Sequence, residues 1–102
     1  MDWDEVVETL ESRSLCDELD EEEYPNPPDI VYEHALALTR YLKAMNKEPP
    51  RFVSPNGDDS IMFEYQYGAA TELISVDAGL NAVYLLLVDS KIVTKLLIRV
   101  VL

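Results

Sequence analysis

The fold of this chain is decided by residues 49–67, which read PPRFVSPNGDDSIMFEYQY. Upstream of this stretch, apolar residues recur every three or four positions, whereas from Ile61 to Tyr67 every second residue is apolar or aromatic. Side chains repeat every 3.6 residues on a helix and every 2 on a strand, so the chain is predicted to change from helix to sheet here. The Asn-Gly pair within residues 55–59 is typical of a hairpin turn.

The long helix predicted before this stretch spans residues 27–46. Asn26 is a suitable N-cap, Pro27 suits the first helical position, and a proline pair at 49–50 lies beyond the end. One face carries a stripe of apolar residues at helical spacing: Val31, Ala35, Leu38, Leu42 and Met45. We expect this stripe to pack against the sheet.

Five strands are predicted after the proline pair, over residues 51–54, 61–67, 72–76, 80–88 and 92–102, with Asp89 and Ser90 as a tight connection. The fourth is apolar on both faces, which predicts a central or doubly covered position. The last would also fit a helix that is apolar nearly all round, but its alternation favours a strand. The predicted fold class is α+β, with an N-terminal helix or helices followed by a four- to five-stranded antiparallel meander and the long helix packed on one face.

The proline pair, short strand, turn and apolar strand ending in Glu64 and Tyr65 resemble a pattern in small uncharacterised bacterial and phage proteins. In that pattern the turn runs Pro-x-x-Asp-Gly, whereas here Pro55 is followed by Asn-Gly-Asp-Asp. The resemblance covers residues 30–88 and implies a helix followed by an antiparallel meander. It implies no catalytic residue, cofactor or partner.

Residues 1–25 are predicted to form an acidic leader, followed by a single α+β domain over residues 26–102. Within the leader, residues 2–12 have the pattern of an amphipathic helix, and an acidic, proline-containing linker follows over residues 13–28. The apolar face of this short helix consists of Trp3, Val6, Val7 and Leu10, and the acidic face of Asp4, Glu5, Glu8 and Glu11. Since the periodicity of the core lies after the leader, we expect residues 26–102 to fold without it.

Charge is distributed unevenly along the 102 residues, whose net charge is −12. Residues 1–29 contain 12 acids and 1 base, a net charge of −11, whereas residues 30–102 contain 8 acids and 7 bases, a net charge of −1. An excess of acid repels phosphate, which disfavours direct binding to nucleic acid, and it attracts a basic protein surface.

The single cysteine, Cys16, cannot form an internal disulfide, which favours a reducing compartment. The acidic start lacks the basic and apolar regions of a signal peptide, and no apolar run reaches the ~20 residues of a membrane helix. We therefore expect a cytoplasmic protein that does not bind a membrane.

No motif for catalysis, metal binding or cofactor binding is recognisable, so we predict a non-enzyme without a cofactor. His34 flanks the apolar stripe and is interpreted as structural, since no other histidine or cysteine lies at ligand spacing. Cys16 lies among acids that disfavour a thiolate. Asp58 and Asp59 suit a cation, but turn chemistry explains them better.

The predicted function is that of a non-enzymatic protein-binding module whose leader docks on a basic partner, with apolar anchors and acids that steer. A nuclease or another nucleic-acid-handling enzyme is the expected kind of partner, which would make the chain a small inhibitor, a nucleic-acid mimic or an antitoxin-like protein. The predicted partner-binding residues are Trp3, Glu5, Val6, Val7, Glu8, Leu10 and Glu11. The alternative is a homodimeric self-association module built on the apolar last strands, with the leader a merely solubilising arm.

Overall fold

The computed structural model describes residues 1–13, 15, 26–56, 59–79 and 81–99. Within them lie the helices α1, Trp3–Glu11, and α2, Asp29–Ala44. The strands are β1, Phe52–Asn56; β2, Ser60–Tyr67; β3, Ala70–Val76; β4, Asn81–Val88; and β5, Lys91–Arg99. No helix in this part of the chain is long and apolar enough to cross a membrane.

The five strands form one antiparallel sheet in the order β1-β2-β3-β4-β5, so that each strand pairs with the next along the chain. α2 packs on β2 and β3. These findings confirm the predicted α+β fold, a meander with the long helix on one face. β4 lies inside the sheet, between β3 and β5, but most of its side chains are only half-buried.

The core lies between α2 and the middle of the sheet. α2 buries Val31, Leu38 and Leu42, and the facing side of β2 buries Ile61 and Phe63. Removing these apolar side chains from water supplies the main driving force for folding. The predicted stripe is therefore the packing face of α2 at these positions.

The prediction that the apolar stripe of α2 extends to Met45 is wrong. α2 ends at Ala44, before the predicted limit at residue 46, and Met45 follows it as the C-cap with φ −85° and ψ 5°. Because the chain leaves the helix there, the Met45 side chain turns to solvent and is 60% exposed. Met45 is not part of the core.

The N-terminal end of α2 also differs from the prediction. The N-cap is Pro28, which makes no side-chain hydrogen bond, so the capping role predicted for Asn26 is wrong. The Asn26 amide nitrogen instead donates to the carbonyl of Arg13 at 2.8 Å, and its oxygen accepts a hydrogen bond from the hydroxyl of Tyr32. Asn26 thereby connects the chain that follows α1 to the first turn of α2.

α1 is held against α2 by its apolar face. The Asp2 carboxylate accepts a hydrogen bond from the Glu5 backbone N–H at 2.8 Å and caps the helix. Val6 and Leu10 are fully buried and belong to the same core cluster as the α2 and sheet residues. The separation of residues 1–25 and 26–102 into independent units stays a prediction. The burial of Val6 and Leu10 in the shared core argues against it.

The hairpins are tighter than predicted. β1 continues through Pro55 to Asn56, which pairs with Ser60, because an edge strand tolerates a proline that donates no hydrogen bond. Residues 57 and 58 of that turn lie outside the described part of the chain. Between β4 and β5, Asp89 and Ser90 have φ values of 51° and 64°, as a two-residue hairpin turn requires, which confirms the tight connection.

The face of α2 is tested by truncating one buried and one exposed side chain. We expect Leu38→Ala to lower the free energy of unfolding by roughly 2–5 kcal/mol, because it leaves a cavity in the core. Met45→Ala, the matched control, should change it by less than about 0.5 kcal/mol. Urea titration measures both, and equal effects would contradict the packing described.

Candidate functional site: the open face of the sheet

The helices lie on one side of the sheet and leave the other side without a covering element among the described residues. In an antiparallel sheet, directly paired residues share a face and neighbours along a strand alternate between faces. Phe63, Ile74 and Tyr84 form one paired row on the helix side. The opposite side, called the open face here, includes Phe52, Ser54, Met62, Glu64, Gln66, Thr71, Leu73, Ser75, Asn81, Val83, Leu85, Leu87, Lys95 and Leu97.

The centre of the open face, where Leu73 lies beside Leu85, is more apolar than a solvent-facing sheet surface normally is. β4 contributes Val83, Leu85 and Leu87, which are half-buried. On β5, Leu97 is 77% exposed. Single exposed apolar residues are common, whereas apolar residues that lie side by side on a sheet face are a candidate interaction surface.

One row of the open face carries an acid at one end and a base at the other. The strand register pairs Glu64 with Leu73, Leu73 with Leu85, and Leu85 with Lys95. Three strand spacings of about 4.8 Å separate the two charged residues by about 14 Å, too far for a direct ion pair. Neither forms an ion pair with another described residue.

The edge strand β5 is exposed but interrupted. Among the described strands it pairs with β4 alone, and Ile92 and Leu96 are 61% and 53% exposed. A β-bulge lies opposite Leu86 and Leu87, and such a bulge twists an edge and hinders the addition of another strand. The exposed Lys91 and Lys95 hinder it further. The open face is therefore better suited to binding than the edge.

The predicted partner-binding residues are split between the core and the surface of α1. Val6 and Leu10 are buried in the chain's own core, so they are not accessible while α1 stays packed. Trp3 is half-buried, and its indole N–H donates to the carbonyl of Lys47 at 3.0 Å. Val7 is half-buried, whereas Glu5, Glu8 and Glu11 are exposed, as is Asp4. What α1 presents to solvent is thus its acidic face.

A polar cluster on the helix side of the sheet was not predicted from the sequence. The Lys47 ammonium lies 3.1 Å from the Glu72 carboxylate and 4.4 Å from the centre of the Tyr65 ring, a cation–π arrangement. The Tyr84 hydroxyl donates a hydrogen bond to the same carboxylate. Because Lys47 and Glu72 are 25 positions apart, no local spacing in the sequence signals this cluster.

The titration behaviour of the cluster fits a structural role. Partial burial raises the pKa of Glu72, but hydrogen bonds from Tyr84 and Lys47 outweigh this effect and hold the pKa below its ordinary value. The hydrogen bond to Glu72 raises the pKa of Tyr84 to about 12, and burial raises the pKa of Tyr65. At neutral pH the carboxyl is therefore ionised and the tyrosines are protonated, so these groups offer no proton-transfer pair poised near pH 7.

The remaining candidates from the sequence do not form a site in the described residues. His34 is buried, and its Nδ1 donates to the carbonyl of Asp77 at 2.8 Å, a structural hydrogen bond between α2 and the end of β3. The described part of the chain contains no group of acids, histidines or cysteines that would hold a metal ion. Cys16 and Asp58 lie outside the described residues.

Comparison with known proteins gives no relative from which a function could be transferred, since no protein-family model, curated protein or solved structure matches the chain.

The stabilising role of Glu72 is tested by its pH dependence. Since the folded-state pKa of Glu72 lies below the unfolded value of about 4.3, the ionised group stabilises the fold above that pH, and the stabilisation is lost as the pH falls through the folded value. We expect Glu72→Gln to cost about 1–3 kcal/mol at pH 7 and progressively less below about pH 4.

Glu8→Gln is the matched control, because Glu8 is exposed and has no ion pair among the described residues. Urea titrations from pH 7 to pH 3 should show almost no cost for this variant. A cost of Glu72→Gln that stays constant down to pH 3 would contradict the assignment.

Proposed function

We propose that this chain is a non-enzymatic protein-binding module whose binding surface is the open face of the sheet. The observation that supports this proposal is the apolar surface on the solvent side of β4 and β5, where Leu97 is exposed and Val83 and Leu85 are half-buried. The buried centres of protein interfaces are apolar and depleted of charge. Covering this face with a partner would remove its apolar surface from water, which is favourable in proportion to the area covered.

The shape and charge of the open face favour a protein over other ligands. Small molecules bind in concave sites that enclose most of their surface, and a sheet face is broad and flat. Nucleic acid needs a basic stripe for its phosphates. The described bases of this side lie apart, with Lys95 on β5 and Arg51 over the ring of Phe52 at the opposite edge, so they form no such stripe.

The acidic face of α1 is the second candidate surface. Asp4, Glu5, Glu8 and Glu11 are exposed on a helix whose other side is fixed in the core, so their positions are preorganised. A basic protein such as a nuclease or another nucleic-acid-handling enzyme is the partner that this charge would attract, as an inhibitor or nucleic-acid mimic requires. With Val6 and Leu10 buried, the acids contribute mainly to the rate of association.

Site-specific photocrosslinking in the native host tests both surfaces in one experiment. A benzoylphenylalanine introduced at Leu97 samples the open face, one at Glu8 samples the acidic face, and one at Tyr41 is the control. Tyr41 is 57% exposed on α2 and belongs to neither surface. We expect protein adducts at position 97 at several times the yield found at position 41, because an apolar face that binds a protein stays close to it.

Equal yields at positions 97 and 41 would contradict binding by the open face. Adducts at position 8 that disappear when DNA is added would support the nucleic-acid mimic, because DNA would then compete for the same partner. Adducts at position 8 that persist would leave the acidic face as a docking surface without mimicry.

A further inference from the structure

The row of residues with an acid at one end and a base at the other would match a second copy of itself turned end for end. In strand order it reads Glu64, Leu73, Leu85, Lys95, which is acid, leucine, leucine, base. When such a row is turned end for end over a copy of itself, the acid meets the base and leucine meets leucine. A two-fold axis generates this relation, because each residue pair then occurs twice in an isologous interface.

Only one orientation of the two-fold axis gives this match. An axis parallel to the strands, between β3 and β4, reverses the strand order and places Glu64 over Lys95 of the second copy. An axis across the strands keeps the strand order and places each carboxylate over its own counterpart. Like charges in direct opposition are unfavourable, so the axis parallel to the strands is favoured.

The neighbouring row agrees with the same axis. It contains, in strand order, Met62, Ser75, Val83 and Leu97. Reversal about the line between β3 and β4 places the strongly exposed Leu97 over Met62 of the second copy. Two facing sheets pack about 10 Å apart, with strands within about 30° of each other, so side chains from both rows can interdigitate.

The distribution of charge permits two copies to approach on this side. With a net charge of −12 on each chain, two molecules repel one another overall. The exposed acids of α1 lie on the helix side, because α1 packs on α2 and α2 packs on the sheet. The described charges on this side are Glu64, Lys95 and, over the ring of Phe52, Arg51, so it lacks the excess of acid that α1 carries and the repulsion is weakest there.

We propose that the open face binds a second copy of this chain, forming a two-fold symmetric, face-to-face sandwich in which Glu64 pairs with Lys95 of the other copy. The inference rests on the proposed function and specifies its partner. The molecule measures 34 × 30 × 26 Å, so one side offers an area on the order of the ~800 Å² per partner that stable interfaces bury. The dimer carries its two acidic α1 faces on opposite outer sides.

Sedimentation equilibrium of the purified full chain tests the proposal by charge exchange. We expect the wild type to be dimeric at micromolar concentration. Glu64→Lys and Lys95→Glu should each weaken the dimer about tenfold or more, because each change creates two like-charge contacts. The double variant Glu64→Lys/Lys95→Glu should return the dissociation constant to within about threefold of the wild type, since the pairs are restored with exchanged partners.

Two matched controls accompany these variants. Lys91→Glu and Glu8→Lys change exposed charges outside the row and should leave the dimer nearly unchanged. Leu85→Asp should abolish the dimer, and circular dichroism would verify that the variant is folded. A dimer formed by β5 edges would not respond to Glu64→Lys, because Glu64 lies three strands from that edge.

The proposal is overturned if the wild type is a monomer at high concentration, or if the single reversals have no effect or the double reversal does not restore the dimer. A monomer that still forms adducts with a different protein at position 97 would refute the second copy as the partner and leave the proposed function standing. A monomer without such adducts would refute both.

Discussion

Both helices lie on the same side of the five-stranded sheet, and the unusual surface of this protein follows from that one-sided arrangement. α2 packs on β2 and β3, and α1 packs on α2. Among the described elements, no helix covers the open face, where Val83, Leu85 and Leu97 take positions that a solvated sheet face would give to polar residues.

Lys47 holds the elements on the helix side of the sheet together. Its carbonyl accepts the hydrogen bond of the Trp3 indole, while its ammonium pairs with Glu72 at 3.1 Å over the ring of Tyr65. A single residue in the loop that follows α2 thereby connects α1, β2 and β3. Removing either charge would leave the other poorly solvated, which is why breaking a partly buried pair costs more than the pair contributes. The consequence is a molecule with acids fixed on one side and apolar residues on the other.

The sequence predicted which helices and strands form better than it predicted what each of them packs against. Alternation from Ile61 to Tyr67 and helical spacing from Val31 to Leu42 report which side chains are apolar, and those elements formed as expected. The same patterns do not report what covers an apolar face. Leu10 packs in the chain's own core, although the amphipathic pattern of α1 would suit docking on a partner protein equally well. The row from Glu64 to Lys95 depends on registers set by three hairpins and a bulge, which no local spacing encodes.

If a second copy covers the open face, the accessibility of the methyl groups on that face to a soluble paramagnetic agent shows it most directly. In NMR spectra of the full chain, the Leu73, Leu85 and Leu97 methyls should be protected at high concentration and become accessible on dilution. Ile74, buried on the helix side, should stay protected, and the exposed Met45 should stay accessible throughout. Open-face methyls that are equally accessible at every concentration would contradict the account.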